Sequence, residues 1–260
     1  EIAKPILDKI REKNAASKTP VLGITGTGGA GKSSLVDEIV IVDSASTDST
    51  QEIALKYKAR FFHQNWLGFG AQKNHAVNLA KNDWVLCLDA DEYLSQELAL
   101  EIRQELENPR AKAYQLVRCN KFIGRFLRHG AGYPDRSIRL FNRQFANWSN
   151  DLVHEKVEVN FGVILLLKHD YLHNSGEDFN KYLHKQDRYT TTQALKMFEM
   201  KKPVRLSKLF FSPFIHFTKY YLIKRGFMDG VPGFIHVVLG SINSFQKYAK
   251  LYVLYQQSSK

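Results

Sequence analysis

At 260 residues, 44% of them hydrophobic, the chain is long enough to bury one large α/β core, which excludes wholesale disorder. Its formal charge of +11 points to an acidic partner: nucleic acid, an anionic membrane or a phosphorylated substrate. Two cysteines, Cys87 and Cys119, are too few for a disulfide scaffold and fit a reducing cytosol, and no apolar run reaches membrane-spanning length.

Residues 1–18 space Ile2, Ile6, Leu7 and Ile10 as a short amphipathic helix. No signal-peptide apolar region is expected there. An apolar strand over residues 21–25 then leads into Gly26, Gly31, Lys32 and Ser33, the G-x-x-x-x-G-K-[ST] pattern of a phosphate-binding loop. Glycines let backbone N–H groups close around phosphates, while Lys32 would reach the outer phosphates and Ser33 a magnesium ion. This stretch resembles the GTPases that assist cobalamin-dependent acyl-CoA mutases. It carries the alternative function, a P-loop NTPase with Asp89 as its second acidic motif. Against that reading, only residues 32–38 separate the loop from the next strand, whereas a strand–helix–strand crossover usually needs about 10–12 residues.

From residue 37 the pattern reads strand, polar turn, helix, strand. Asp43 ends the first strand, Asp48 or Ser49 caps a helix running to Lys58, and Phe61-Phe62 begin a buried strand. GFGAQKNHAVNLAKNDW gives a glycine loop and a helix with Ala76, Leu79 and Ala80 on one side. Gln72, Lys73 and Asn74 lie at its start, where backbone N–H groups and Lys73 could meet phosphate or ribose. Val85 to Leu88 form an unbroken apolar run, expected of a strand buried on both faces of a parallel sheet. It stops at Asp89-Ala90-Asp91-Glu92, and carboxylates so placed are costly to desolvate unless something cationic meets them. Asp89 and Asp91 could share a hard cation with a diphosphate, the more so because ligands of open α/β sheets bind outside the carboxyl ends of strands.

After a helix capped by Ser95, strands are expected over residues 113–119, 137–142, 153–159 and 163–169. The loop between the first two carries Arg128, Tyr133 and Arg136, whose guanidinium forks and aromatic face suit sugar and phosphate recognition at an acceptor site. In NDLVHEKVEV, His154 and Glu155 alternate with the apolar Val153 and Val157. From residue 177 the chain reads as helices, the first long and amphipathic. At least two more follow, broken at Pro213 and over residues 226–233 and rich in interleaved aromatic and basic residues. That composition suits a helix lying in an anionic membrane surface rather than a nucleic-acid binder.

The ordered motifs IVDSASTDST and GFGAQKNHAVNLAKNDWVLCLDADE resemble a family-2 glycosyltransferase of the GT-A fold, and within it bacterial glucosyltransferases of lipopolysaccharide-core assembly. The resemblance implies a mixed α/β sheet with helices on both faces and a helical C-terminal extension. It further implies inverting transfer of a hexose from a nucleotide sugar, usually a UDP-sugar, with Mn2+ or Mg2+ at an Asp-x-Asp motif. The acceptor is expected to be a glycan or lipid-linked molecule at the cytoplasmic face of the inner membrane. Mapped by motif, Asp43 contacts the nucleoside, Lys73 and Asp89 the donor, Asp91 and His173 the metal, and Glu155 takes the acceptor proton. Where the family opens with a Pro-x-Tyr-Asn-Glu-like segment this chain has GITGTGGAGKSS, so it reads as a chimera joined at V-D-E-I-V. The expected parts are a P-loop-like segment (1–40) replacing the first strand and helix, a catalytic core (37–175) and a helical extension (176–260).

Overall fold

The computed structural model describes residues 22–26 (as backbone), 38–149, 151, 155–174, 176 and 178–258. The chain divides into two units: one of residues 1–118 and 135–175, the other of residues 119–134 and 176–260. The helical region expected from residue 176 is thus joined by the hairpin segment 119–134.

The first unit is built on a sheet of strands β1 (Leu22–Gly26), β2 (Glu38–Asp43), β3 (Arg60–His63), β4 (Trp84–Asp89), β5 (Glu92–Leu94), β6 (Ala113–Phe122), β8 (Asp135–Asn142) and β11 (Ile164–His173). Their order is β3-β2-β1-β4-β8-β6-β11-β5, with the short β7 (Arg125–Phe126) paired to β6. The sheet is mixed. β2 and β3 are parallel, whereas β4, expected among parallel neighbours, runs antiparallel to both β1 and β8. Full burial of Val85 to Leu88 comes from layers on both faces, which does not require parallel pairing.

Alternation along the strands assigns the layers. Ile41 and Leu88 share a register position through Gly23 of β1, and so do Val40 and Cys87 through Ile24. On the Val40–Cys87 face, Val40, Val42, Val85 and Cys87 pack with Ala76 and Val77 of helix α2 (Phe69–Leu79) and with Ala80 just past its end. Leu86 and Leu88 point the other way, to Leu98 and Ile102 of helix α3 (Gln96–Glu107). On that face Ile41 meets Ala54 of helix α1 (Thr50–Lys56). Truncating a fully buried Leu98 or Ile102 to alanine would cost about 2–5 kcal/mol.

Local chemistry fixes the helix starts. Ser95 caps α3 by accepting from Leu98 N at 3.1 Å, while Asp48 Oδ1 accepts from Thr50 N at 3.0 Å ahead of α1. Between β4 and α3 the acidic turn includes the short β5, which pairs with β11 and places Glu92 opposite His173. The strand expected over 153–159 is described only as β10 (Val157–Val159). It pairs with β9 (Ala146–Trp148) in a separate two-stranded ribbon.

In the second unit, α4 (Phe179–Glu199) begins at Asp178, whose side chain accepts from Asn180 N and Lys181 N. α5 (Leu206–Phe217) carries Pro213 inside it and continues into a π-helical turn (Thr218–Ile223), so the expected break at Pro213 does not occur. A 3-10 turn (Gly226–Asp229) then leads into α6 (Gly230–Ser258). Asp229 is buried and accepts from Arg128 N (2.9 Å) and His129 N (2.8 Å), with His129 Nδ1 at 3.1 Å. No described helix is long and apolar enough to cross a membrane.

Candidate active site

The site lies where β2 and β4 end. Asp43, the last residue of β2, is buried, and its carboxylate accepts from Ser46 N at 2.8 Å and from the Ser46 hydroxyl. This closes the turn after the strand and fixes the carboxylate at its rim. On α2, Gln72 and Lys73 are buried one turn before Ala76 and Val77, so they occupy the end of the same sheet-facing stripe. Gln72 Nε2 donates to Ser44 Oγ at 3.0 Å, tying the helix to the turn after β2. Gly70 permits the close approach of α2 to the next segment: a Cβ there would lie 2.0 Å from the Ser149 carbonyl oxygen.

Lys73 is the hub. Its Nζ lies 3.1 Å from Asp89 Oδ1 and 2.9 Å from Glu155 Oε1, and 4.5 Å from the centre of the Trp148 ring. Thus Lys73, Asp89 and Glu155, named from three separate motifs, meet at one ammonium group. Asp89 has a second cation, Arg139, whose Nη2 is 3.3 Å from Oδ2. Burial pushes the Asp89 carboxyl up, but Arg139 and Lys73 outweigh it and hold the group at about 2. Arg139 Nη2 also lies 2.7 Å from Glu92 Oε1, and Glu92 Oε2 accepts from Asp89 N at 3.1 Å. Glu92 is fully buried, and desolvation raises its carboxyl above the usual range despite Arg139.

Asp91 sits further out. Its Oδ2 lies 3.0 Å from His173 Nε2, and its backbone oxygen accepts from Asn174 N at 2.9 Å. Burial opposes the ionised form of Asp91, but the His173 hydrogen bond lowers its carboxyl below the usual range. Among the described residues no three His, Cys, Asp or Glu side chains converge to hold a metal ion. Asp91 and His173 nonetheless set one oxygen and one nitrogen donor side by side, a pair compatible in type with a divalent cation. Asp89, by contrast, is paired with two protein cations, Lys73 and Arg139.

Arg139 and Trp148 carry no signal in the sequence, and Gln72 and Glu92, noted in their motifs, are given a defined place only by the structure. Among the proposed acceptor residues, Arg136 lies exposed on β8 of the first unit, whereas Arg128 and Tyr133 belong to the second. His154, the neighbour of Glu155 in its motif, lies outside the described residues, as do Gly31, Lys32 and Ser33. Gly26 pairs with Glu38 at the start of β2, while Leu22 pairs with Asp89. Gly26, which opens the phosphate-loop motif, therefore lies at the other end of β1 from the residue paired with Asp89, about 13 Å away at 3.3 Å per residue. That register does not fit Asp89 as a metal-side partner of this loop.

The candidate site is thus a buried carboxylate–lysine–arginine cluster at the carboxyl end of a central strand, with a histidine–aspartate pair beside it. A model of glycosyl transferase family 2 matches residues 30–164, and the chain belongs to that family. Among its relatives, a glycosyltransferase of Rickettsia typhi is 32% identical over 84% of this chain and 78% of its own length. The lipopolysaccharide core biosynthesis glycosyltransferase LpsC of Rhizobium meliloti is 29% identical over 83% of this chain and 82% of its own length. A solved structure of S. aureus TarS 1–349 in complex with UDP-GlcNAc matches at a TM-score of 0.37 and 14% identity, over 85% of this chain and 83% of that one.

Proposed function

We propose that this transferase moves a hexose, with inversion, from a UDP-sugar to a lipopolysaccharide-core or other lipid-linked acceptor at an anionic membrane surface. The observation carrying this reading is the sharing of Lys73 between Asp89 and Glu155. A donor diphosphate arriving at the strand end competes for Lys73 and Arg139, because phosphate oxygens offer those cations more negative charge than a single carboxylate. Lys73 is drawn from Glu155 to the phosphate, and the released carboxylate becomes the base. The acceptor hydroxyl oxygen then attacks the anomeric carbon while Glu155 takes its proton. The bond to the diphosphate oxygen breaks, and the nucleoside diphosphate departs with the electron pair. Asp43 at the rim contacts the nucleoside. Asp91 and His173 would hold Mn2+ or Mg2+, which supplies charge neutralisation for the leaving group.

Calorimetric titration with a panel of nucleotide sugars, with and without manganese, tests the donor side. Binding of a UDP-hexose that strengthens with manganese is expected. Equal indifference to all nucleotide sugars would overturn the assignment.

A further inference from the structure

The second unit carries an inverted helix face. In α5, Ser212 and His216 turn inward: Ser212 Oγ is 3.0 Å from Ser244 Oγ of α6, and His216 Nδ1 is 3.3 Å from Ser241 Oγ. The outward stripe of α5 and the π turn is instead apolar. Phe210, Phe211, Phe214, Ile215, Leu222 and Ile223 are each between 55% and 72% exposed. An ordinary surface helix buries such residues and exposes the polar ones. A contiguous patch of this kind marks a surface that meets something apolar.

Charge selects the occupant. Arg205 and Lys208 lie at one end of the stripe and Lys219, Lys224 and Arg225 at the other, and no Asp or Glu occurs between residues 201 and 225. A protein surface would need to supply apolar pockets and a matching ring of carboxylates. An anionic bilayer offers acyl chains flanked by phosphates without further requirement. Residues 206–223 span about 27 Å if helical throughout, and the stripe is one-sided, so the element lies along a membrane rather than through it.

We propose that α5 and its π turn are the membrane-docking face of this protein, inserting the phenylalanine stripe among acyl chains with the flanking cations on phospholipid phosphates. This rests on the anionic-membrane reading above and narrows it to one face and one lipid chemistry.

The test is flotation of the full chain with phosphatidylglycerol-containing and with pure phosphatidylcholine vesicles, beside light scattering without lipid. The wild-type chain should float with the anionic vesicles and release with salt. A triple Phe210→Ser, Phe214→Ser, Ile223→Ser variant should lose about tenfold or more of that partitioning. Lys208→Glu with Lys224→Glu should weaken binding and flatten its salt dependence. All changed side chains are exposed, and an unaltered circular dichroism spectrum and UDP-sugar affinity separate this face from the transferase site. Failure of the wild type to bind anionic vesicles, or wild-type binding by the serine variant, would overturn the proposal. So would loss of a light-scattering dimer in that variant without any lipid binding, since the face would then join two copies.

Discussion

Lys73 and Glu155, 82 positions apart in sequence, meet at 2.9 Å through an ammonium that also contacts Asp89. The contact holds a proposed base beside the group that would anchor the donor. Glu155→Gln keeps the shape and hydrogen-bonding capacity but removes the basicity. It should slow transfer by on the order of 10²–10⁴-fold with donor affinity nearly intact. A normal turnover rate in that variant would assign the base elsewhere.

Asp91 and His173 form the proposed metal pair. Asp91→Asn should abolish the manganese-dependent part of nucleotide-sugar binding, and His173→Ala should weaken it while circular dichroism stays unchanged. Titrations in which manganese still strengthens binding to Asp91→Asn would refute the assignment.

Asp89 makes a pH prediction. Its folded value of about 2 lies below the ordinary 3.8, so the unfolded chain takes up the proton first as pH falls. The ion pairs thus contribute stability that is present above about pH 4 and is lost toward pH 2. Asp89→Asn should be less stable by about 2 kcal/mol at neutral pH, with the gap closing over that acid window. Denaturant melts at several pH values measure it, and a gap constant with pH would mean that ionisation is not the source.

Gly70→Ala should disturb the site without touching a charged group. Its Cβ would meet the Ser149 carbonyl oxygen, forcing α2 and the segment before Glu155 apart. Overpacking of this kind costs about 1–3 kcal/mol, and displacement of the site by about 1 Å can slow reaction up to 10²-fold. Steady-state kinetics should show a lowered kcat, whereas wild-type kinetics would show that the segment yields freely.

Lys32→Ala addresses the phosphate-loop motif. Because Gly26 lies at the far end of β1 from Asp89, sugar-nucleotide affinity and transfer rate should be unchanged within about twofold. A Lys32-dependent GTPase or ATPase activity would instead restore the NTPase reading.

Much of the site's location was legible in sequence because it follows from desolvation. Carboxylates at the end of a buried strand demand cations, and Lys73 on the stripe of the preceding helix supplies one. The second cation was hidden. Arg139 sits in DRSIRLFN, where alternation alone leaves open which neighbours a side chain will face. Only the pairing of β8 with β4 brings it to Asp89. Which of the three carboxylates is fully buried was hidden for a related reason: only the pairing of β5 with β11 encloses Glu92. Pro213 lies within a helix despite its missing N–H and continues directly into a π turn. Local punctuation there yields to helix packing.

The buried carboxylate of Asp229 has a mechanical consequence. It holds both backbone amides at Arg128 and His129, while Gly130 N donates to the Lys224 carbonyl at 2.9 Å and Arg125 Nη2 to that of Met228 at 3.1 Å. The loop bearing Arg128 is therefore pinned to the same short turn that ends the phenylalanine-bearing helix. A tilt or rotation of that helix cannot occur without carrying the arginine loop along, so whatever surface orients the one also aims the other.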